Sequence, residues 1–200
     1  MPRTGGGERR AALIEEAIAA FGQRGYDAAS LDQIAEAAGV RKQSLLYHFP
    51  TKDALFDACV DALSARVAEA LEGALEGIDE DDDPTERVIH ALFRLAERWP
   101  RFPGFVREAA WRGPQVTERF AAVMDPLRKR ALAFLERGMQ EGRVRRQDPV
   151  LLLFTIYTAV VGSITEAGVL RAVGGSAGGR AALKRREEEL VRFVRAALQP

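Results

Sequence analysis

The chain has 200 residues, and 47% of them are hydrophobic, which is enough to bury a substantial core and excludes a disordered protein. Lys and Arg number 29, and so do Asp and Glu; the formal net charge of zero therefore gives no general attraction to nucleic acid or membrane, and any basic surface must be local. The single cysteine, Cys59, excludes an internal disulfide and a cysteine-built zinc site, and it favours a cytoplasmic location.

Apolar residues recur at helical spacing along almost the whole chain, with no convincing alternating strand pattern and no repeat. This periodicity predicts an all-α fold of about nine helices. The first helix is expected over residues 8–24. Ser30 is expected to cap a second, short helix over residues 31–38. Gly39 then ends that helix, and a third helix of about nine residues follows over 41–49.

The middle of the chain is predicted to hold one long helix. Apolar residues mark every fourth position over residues 52–78, a length of about 40 Å at 1.5 Å per residue, enough to join two lobes. Five adjacent carboxylates at 79–83 indicate a solvated acidic loop, with a calcium site as a remote alternative. A further helix is expected from Pro84 to about Arg98, before an aromatic-rich, proline-broken stretch over 99–114 that is less helix-like.

The last third of the chain is predicted to be helical and partly apolar on its surface. Residues 115–141 indicate a helix with a break or bend near Pro126. Asp148 followed by proline is a start signal for a helix to about residue 173, and a last helix is expected over 180–198. The apolar run 150–164 is shorter than the roughly 20 residues of a membrane span, so it predicts a buried helix and no membrane association.

Two short helices separated by Gly39 and packed on a first helix have the proportions of a helix-turn-helix. Leu45 and Phe49 are expected to face inward, so the opposite side of the third helix is polar. Its side chains are of types that bind phosphate or base edges: Arg41, Lys42, Gln43, Ser44, Tyr47 and His48. Ser30 and Lys52 lie at helix N-termini, which favour a phosphate. An ordinary helical hairpin with a polar face is the alternative reading of the short turn alone.

A longer pattern surrounds this turn. It comprises Ile14, Ala17, Phe21, Gly25, Tyr26, Ser30, Leu31, Ile34, Ala35, Ala38, Gly39, Val40, Ser44, Leu45, Tyr47, His48, Phe49, Lys52 and Leu55. The pattern strongly resembles the TetR family of bacterial one-component transcription regulators. In that family the third helix enters the major groove, and residues aligned with Ser30, Tyr47, His48 and Lys52 commonly hold phosphates. Leu46 departs from the family, because many members have an aromatic there; either a phosphate contact is lost or Leu46 touches a thymine methyl.

The resemblance implies a helix-turn-helix DNA-binding domain over 1–53 and an effector-binding and dimerisation domain over 54–200. The expected protein is a cytoplasmic homodimer, paired through its last two helices, that represses transcription until a small apolar effector releases it from a palindromic operator. No metal or other cofactor is expected. An activator or an effector-independent regulator remains an alternative, as does a small helical enzyme or ligand carrier, although no nucleophile, base and orienting group are evident together.

Aromatic and sulfur-containing side chains of the second half are candidates for lining an effector cavity, with ordinary core filling as the competing explanation. The candidates are His90, Phe93, Trp99, Phe102, Phe105, Trp111, Phe120, Met124 and Tyr157. His90 shares a helix face with Glu86 and with Glu97, which favours a polar pair over a metal site, because only two histidines are present.

Overall fold

The computed structural model describes residues 5–78 and 83–200, and over these residues helices are the only regular secondary structure, as the apolar spacing predicts. Four of the five residues of the predicted acidic loop, 79–82, lie outside the described part. The described part of the chain contains ten helices: α1 (Gly5–Arg24), α2 (Leu31–Ala37), α3 (Lys42–His48), α4 (Lys52–Leu75), α5 (Thr85–Arg98), α6 (Phe102–Trp111), α7 (Pro114–Gln140), α8 (Pro149–Thr165), α9 (Ala167–Ala172) and α10 (Gly179–Leu198).

The chain divides into two compact units. The first contains the chain up to Arg66 together with Pro100–Val123, and the second contains Val67–Trp99 and Met124–Pro200. Helices α4 and α7 each contribute residues to both units.

An aromatic cluster forms the centre of the first unit. The ring centroid of Phe21 in α1 lies 5.1 Å from that of Phe56 in α4, and Phe56 lies 5.2 Å from Phe105 in α6. All three side chains are buried, and Tyr26 stacks on Phe21 at 5.6 Å. Such pairs contribute about 0.5–1.5 kcal/mol beyond the burial of their area. The cluster therefore ties α1, α4 and α6 together.

The turn between α2 and α3 forms as its sequence predicts. Ser30 caps α2, its Oγ accepting a hydrogen bond from the backbone N–H of Asp32 at 3.2 Å. Gly39 has φ +67°, a conformation that residues with a side chain rarely adopt. The N–H of Val40 then donates to the carbonyl of Ala35 at 2.9 Å, closing the turn. This turn fixes the direction in which α3 leaves α2.

Three local predictions are corrected. The aromatic stretch expected to be less helical contains α6, because Pro103 falls in the first turn, where no intrahelical N–H is needed. Helix α7 continues through Pro126, so the break is wrong, while a bend there stays a prediction; Pro126 and Ala122, whose carbonyl loses its partner, are both exposed to solvent. The helix begun by Asp148 stops at Thr165, because Glu166 leaves helical geometry at φ −97° and ψ 42°, and α9 follows separately.

The second unit packs α5, α8 and α10 against one another. Phe93 of α5, Val160 of α8 and Val194 of α10 are among its buried side chains. Asp148 caps α8 by accepting hydrogen bonds from the N–H groups of Val150 and Leu151, as its sequence predicts. Among the described residues, none of the helices combines the length and the apolar character that crossing a bilayer requires.

Candidate nucleic-acid interface

Helix α3 has one buried side and one exposed side. Leu45 is fully buried and Phe49, its C-cap residue, is 3% exposed, whereas Tyr47 is 85% exposed. The two apolar anchors are four residues apart and so lie on the same face of the helix. They hold α3 on the first unit and leave Lys42, Gln43, Leu46 and Tyr47 exposed.

The exposed side of α3 carries most of the predicted polar set. Arg41, Lys42 and Gln43 are exposed, and Ser44 and His48 are half-buried. The ring of His48 lies edge-on to Tyr47, with centroids 5.4 Å apart. Arg41, Lys42 and His48 are thus brought to one surface, together with the phenol of Tyr47. This surface offers hydrogen-bond donors and positive charge suited to a polyanion.

Lys42 is already paired in the absence of a ligand. Its Nζ lies 2.8 Å from Oδ2 of Asp32 in α2, and the side chains are 49% and 64% exposed. An exposed pair of this kind contributes about 0–1 kcal/mol, so an arriving anion can displace the carboxylate at small cost. Asp32 is therefore a competitor for Lys42, and no motif in the sequence singled it out.

Ser30 and Lys52 are held at the starts of α2 and α4. The Ser30 hydroxyl accepts its capping bond and keeps its own hydrogen available to donate. Lys52 Nζ donates to the backbone carbonyl of Asp27 at 3.2 Å and lies 4.4 Å from the ring centroid of Tyr26. Both residues lie in the first unit, as does α3.

Two cationic side chains near this surface, Arg10 and Arg112, were not predicted from the sequence as part of it. The guanidinium of Arg10 in α1 lies 5.1 Å from the ring centroid of Phe49, at the end of α3. Arg112, the C-cap of α6, lies over Tyr26 and donates to Asp53, which is 59 positions away in the chain. Helical periodicity carries no signal for a contact over that separation.

The effector candidates are divided between the two units. The first unit holds Phe102, Phe105, Trp111 and Phe120, and the second holds His90, Phe93, Trp99, Met124 and Tyr157. Phe105 belongs to the aromatic cluster, and Trp111 is 86% exposed. Phe93 is buried, whereas Tyr157 is half-exposed, and the partial burial of its phenol raises the pKa of that group. Their role in binding a ligand stays a prediction.

His90 forms a polar pair, but with a different partner from the two expected. Its Nδ1 contacts the carboxylate of Glu187 in α10, while Glu86 pairs with Arg195 and Glu97 with Arg180. The acids of α5 that share a face with His90 thus bind arginines of the last helix. Within residues 5–78 and 83–200, no three His, Cys, Asp or Glu side chains cluster as metal ligands would.

Helices α8 and α10 border a groove of about 290 Å³, lined by Leu151, Leu152, Thr155, Ile156, Phe193 and Val194 among others. Several large apolar side chains beside it face solvent: Val150, Leu151, Phe154, Tyr157 and Phe193 are each between 48% and 62% exposed. On α8 these exposed residues recur at spacings of three and four, which makes one continuous apolar stripe.

Residues 13–59 match the family described as bacterial regulatory proteins, tetR family. The transcriptional regulator RutR of Escherichia coli (strain K12) is 26% identical over 155 residues, which cover 76% of this chain and 71% of RutR. IcaR of Staphylococcus aureus (strain Newman), a negative transcriptional regulator of a biofilm operon, is 40% identical over 48 residues, 24% of this chain and 26% of IcaR.

Solved structures share the fold over almost the entire chain. A TetR transcriptional regulator from Chloroflexus aurantiacus J-10-FL has a TM-score of 0.73 at 24% identity, covering 96% of this chain and 97% of that one. AibR, solved with isovaleryl coenzyme A and operator DNA, has a TM-score of 0.76 at 19% identity, covering 93% and 97%. At these identities the likeness establishes the fold.

Proposed function

Because residues 13–59 identify the chain as a member of the TetR family of bacterial transcriptional regulators, we propose that it is a homodimeric repressor, released from a palindromic operator by a small apolar effector. The proposal rests on one observation: α3 has one buried side and one exposed side. Leu45 and Phe49 anchor the helix, and Tyr47 stands almost fully exposed. Packing of the core does not require a tyrosine at this exposed position, whereas the major groove of DNA can accommodate the exposed side of α3.

The DNA contacts we propose follow from side-chain chemistry and position. Ser30, Tyr47, His48 and Lys52 contact phosphate oxygens. The other predicted residues, at the N-terminal end of α3, lie closest to base edges: Arg41, Lys42, Gln43 and Ser44. The recognition function is assigned to residues 1–53 and effector binding to residues 54–200. The compact unit that carries the recognition helix also includes α6, which packs against α1.

A second copy of the chain is the proposed cover for the apolar stripe on α8 and α10. An isolated protein rarely exposes so many large apolar side chains on two adjacent helices. A twofold axis would bury both copies of the stripe in a four-helix interface. Dimerisation would also present two α3 helices with fixed separation, and hence select a palindrome with a matching half-site spacing.

The effector is proposed to be small and largely apolar, bound among residues of the second unit such as Phe93, Trp99 and Met124. An acyl thioester is one class to test, because AibR was solved with isovaleryl coenzyme A. Release from DNA requires that the effector bind the conformation with low DNA affinity more tightly, with a coupling of about 1–3 kcal/mol. Its action on DNA implies a cytoplasmic location.

The proposal is tested by selecting duplexes from random DNA with the purified full chain. The expected result is enrichment of one palindromic sequence, bound by two copies. Apolar metabolites, drugs and acyl thioesters are then screened for a rise in Tm and for release of the selected duplex. No enrichment of any sequence would refute DNA recognition, and enrichment of a sequence that no screened compound releases would support an effector-independent regulator instead.

A further inference from the structure

We propose that Arg112 is a positioning residue for DNA binding: by occupying the carboxylate of Asp53, it keeps the ammonium group of Lys52 available to a DNA phosphate. The inference rests on the proposed function and deepens it. It concerns a residue outside the matched segment 13–59 and far from α3 in the chain.

Arg112 and Lys52 meet at one aromatic ring. The guanidinium carbon of Arg112 lies 3.6 Å from the ring centroid of Tyr26, and Nζ of Lys52 lies 4.4 Å from the same centroid. Both cations are attracted by the negative face of the ring. The backbone N–H of Tyr26 also donates to Glu108 of α6 at 2.7 Å. The residues of α6 and its C-cap therefore contact Tyr26 twice, through Glu108 and through Arg112.

Asp53 is the carboxylate that these groups share. Its Oδ1 accepts a hydrogen bond from the Tyr26 hydroxyl at 2.5 Å and another from Nη2 of Arg112 at 3.1 Å. Burial and the hydrogen bond to Asp53 raise the pKa of Tyr26 to about 12, so the phenol remains a donor at neutral pH. The negative charge of Asp53 is therefore already engaged by groups other than its chain neighbour Lys52.

Without Arg112, the carboxylate of Asp53 loses one of its hydrogen-bond donors. Asp53 directly follows Lys52, and its side chain is 71% exposed, so the flexible ammonium of Lys52 can reach a carboxylate that has lost its guanidinium. An ion pair between adjacent residues would compete with a DNA phosphate for Lys52. The Nε of Arg112 is buried without a hydrogen-bond partner among the described residues, an arrangement that costs stability. A purely stabilising role for Arg112 explains that orphaned donor poorly.

Arg119 of α7 provides a matched control, because its acidic partners lie on α4, as Asp53 does. It donates to Asp61 of α4 at 2.5 and 2.9 Å and lies 3.7 Å from Asp57. Asp61 is about 12 Å further along α4 than Asp53, at 1.5 Å per residue. Arg119→Gln therefore removes one positive charge, as Arg112→Gln does, together with two ion pairs to α4 that lie away from Lys52.

The test measures binding of the highest-affinity duplex selected from random DNA, as a function of salt. Arg112→Gln and Lys52→Gln are each expected to weaken DNA binding about tenfold per bound subunit at 0.1 M salt. Each should also reduce the slope of log affinity against log salt concentration by about one unit per bound subunit. The double variant should show the slope of either single variant. A double variant whose slope falls twice as far would mean that Arg112 contacts phosphate itself, and would overturn the inference. Arg119→Gln should leave the slope unchanged.

A rescue separates positioning from folding. Asp53→Asn added to Arg112→Gln removes the competing carboxylate and should restore most of the lost affinity, provided that Lys52 is present. The same substitution in the otherwise unchanged chain should have a much smaller effect. If Arg112→Gln acts by disturbing the fold, the loss of DNA affinity will persist when Asp53→Asn is added, and this result would contradict the inference. If the unsubstituted chain binds no duplex, the proposed function fails; if it binds and Arg112→Gln binds equally well, only this inference fails.

Discussion

Gly22 of α1 and Gly104 of α6 meet backbone to backbone: a Cβ atom on Gly104 would lie 2.6 Å from the carbonyl oxygen of Gly22. The relation is reciprocal, because a Cβ on Gly22 would lie 2.7 Å from the backbone nitrogen of Phe105. Within the first unit the two helices therefore cross with no side chain between their backbones. This close approach allows Phe105 to reach the aromatic cluster beneath α1.

Gly22→Ala is expected to lower the free energy of unfolding by about 1–3 kcal/mol, because the added methyl group must push rigid backbone apart. Gly73→Ala is the control: Gly73 also lies inside a long helix, but nothing is within 4 Å of its Cβ position. That change should raise stability by up to about 1 kcal/mol through helix propensity. Urea unfolding of both variants checks the contrast, and equal effects would contradict the crossing.

Asp32→Asn is expected to tighten DNA binding by up to about fivefold, because it frees Lys42 from an exposed ion pair worth about 1 kcal/mol or less. Glu36→Gln removes a charge from the same helix without touching that pair, so it should have a smaller effect. Fluorescence anisotropy at low salt measures both. Equal gains from the two variants would show that general charge, not the Lys42 pair, limits affinity.

Tyr26 should titrate above the ordinary range of a tyrosine phenol. Its pKa is raised from 10.0 to about 12, so between these values the unfolded chain loses the phenol proton while the folded chain keeps it. The stabilising contribution of the protonated phenol is therefore fully present below pH 10 and is lost as the pH rises through 12. Absorbance at 295 nm should show a late step that Tyr26→Phe removes; an unchanged late step would assign it elsewhere.

Phe154→Glu should convert the proposed dimer into a monomer and weaken operator binding, because it introduces a charge into the stripe on α8. Val123→Glu makes a similar change at an exposed apolar position on α7, in the first unit, and should leave the dimer intact. Sedimentation velocity distinguishes the two. A dimer that survives Phe154→Glu would contradict the proposed interface.

Local signals in the sequence predicted most of the helices. The cap at Ser30, the turn at Gly39 and the cap at Asp148 each depend on a few adjacent residues, and all three form as expected. The effect of a proline was harder to predict, because it depends on where in the helix the proline lies. Pro103 lies in the first turn of α6, and Pro126 is tolerated on a solvent-facing side of α7.

Relationships between distant helices could not be predicted from one sequence. The pairing of Lys42 with Asp32 links two helices whose rotation about the turn is set by packing, and Arg112 reaches Tyr26 and Asp53 only because α6 crosses α1. The same limit explains His90, whose partner Glu187 comes from the last helix rather than from its own. Periodicity fixes which side of a helix is apolar, but not which neighbour covers it.

The most direct test of DNA recognition by the exposed side of α3 is the affinity of Tyr47→Ala for the selected duplex, measured beside its thermal unfolding. Tyr47 is 85% exposed, so the change should abolish binding with no loss of Tm. Leu45→Ala, by contrast, should cost about 2–5 kcal/mol of stability, because Leu45 is fully buried. Undiminished binding by a folded Tyr47→Ala variant would contradict the account.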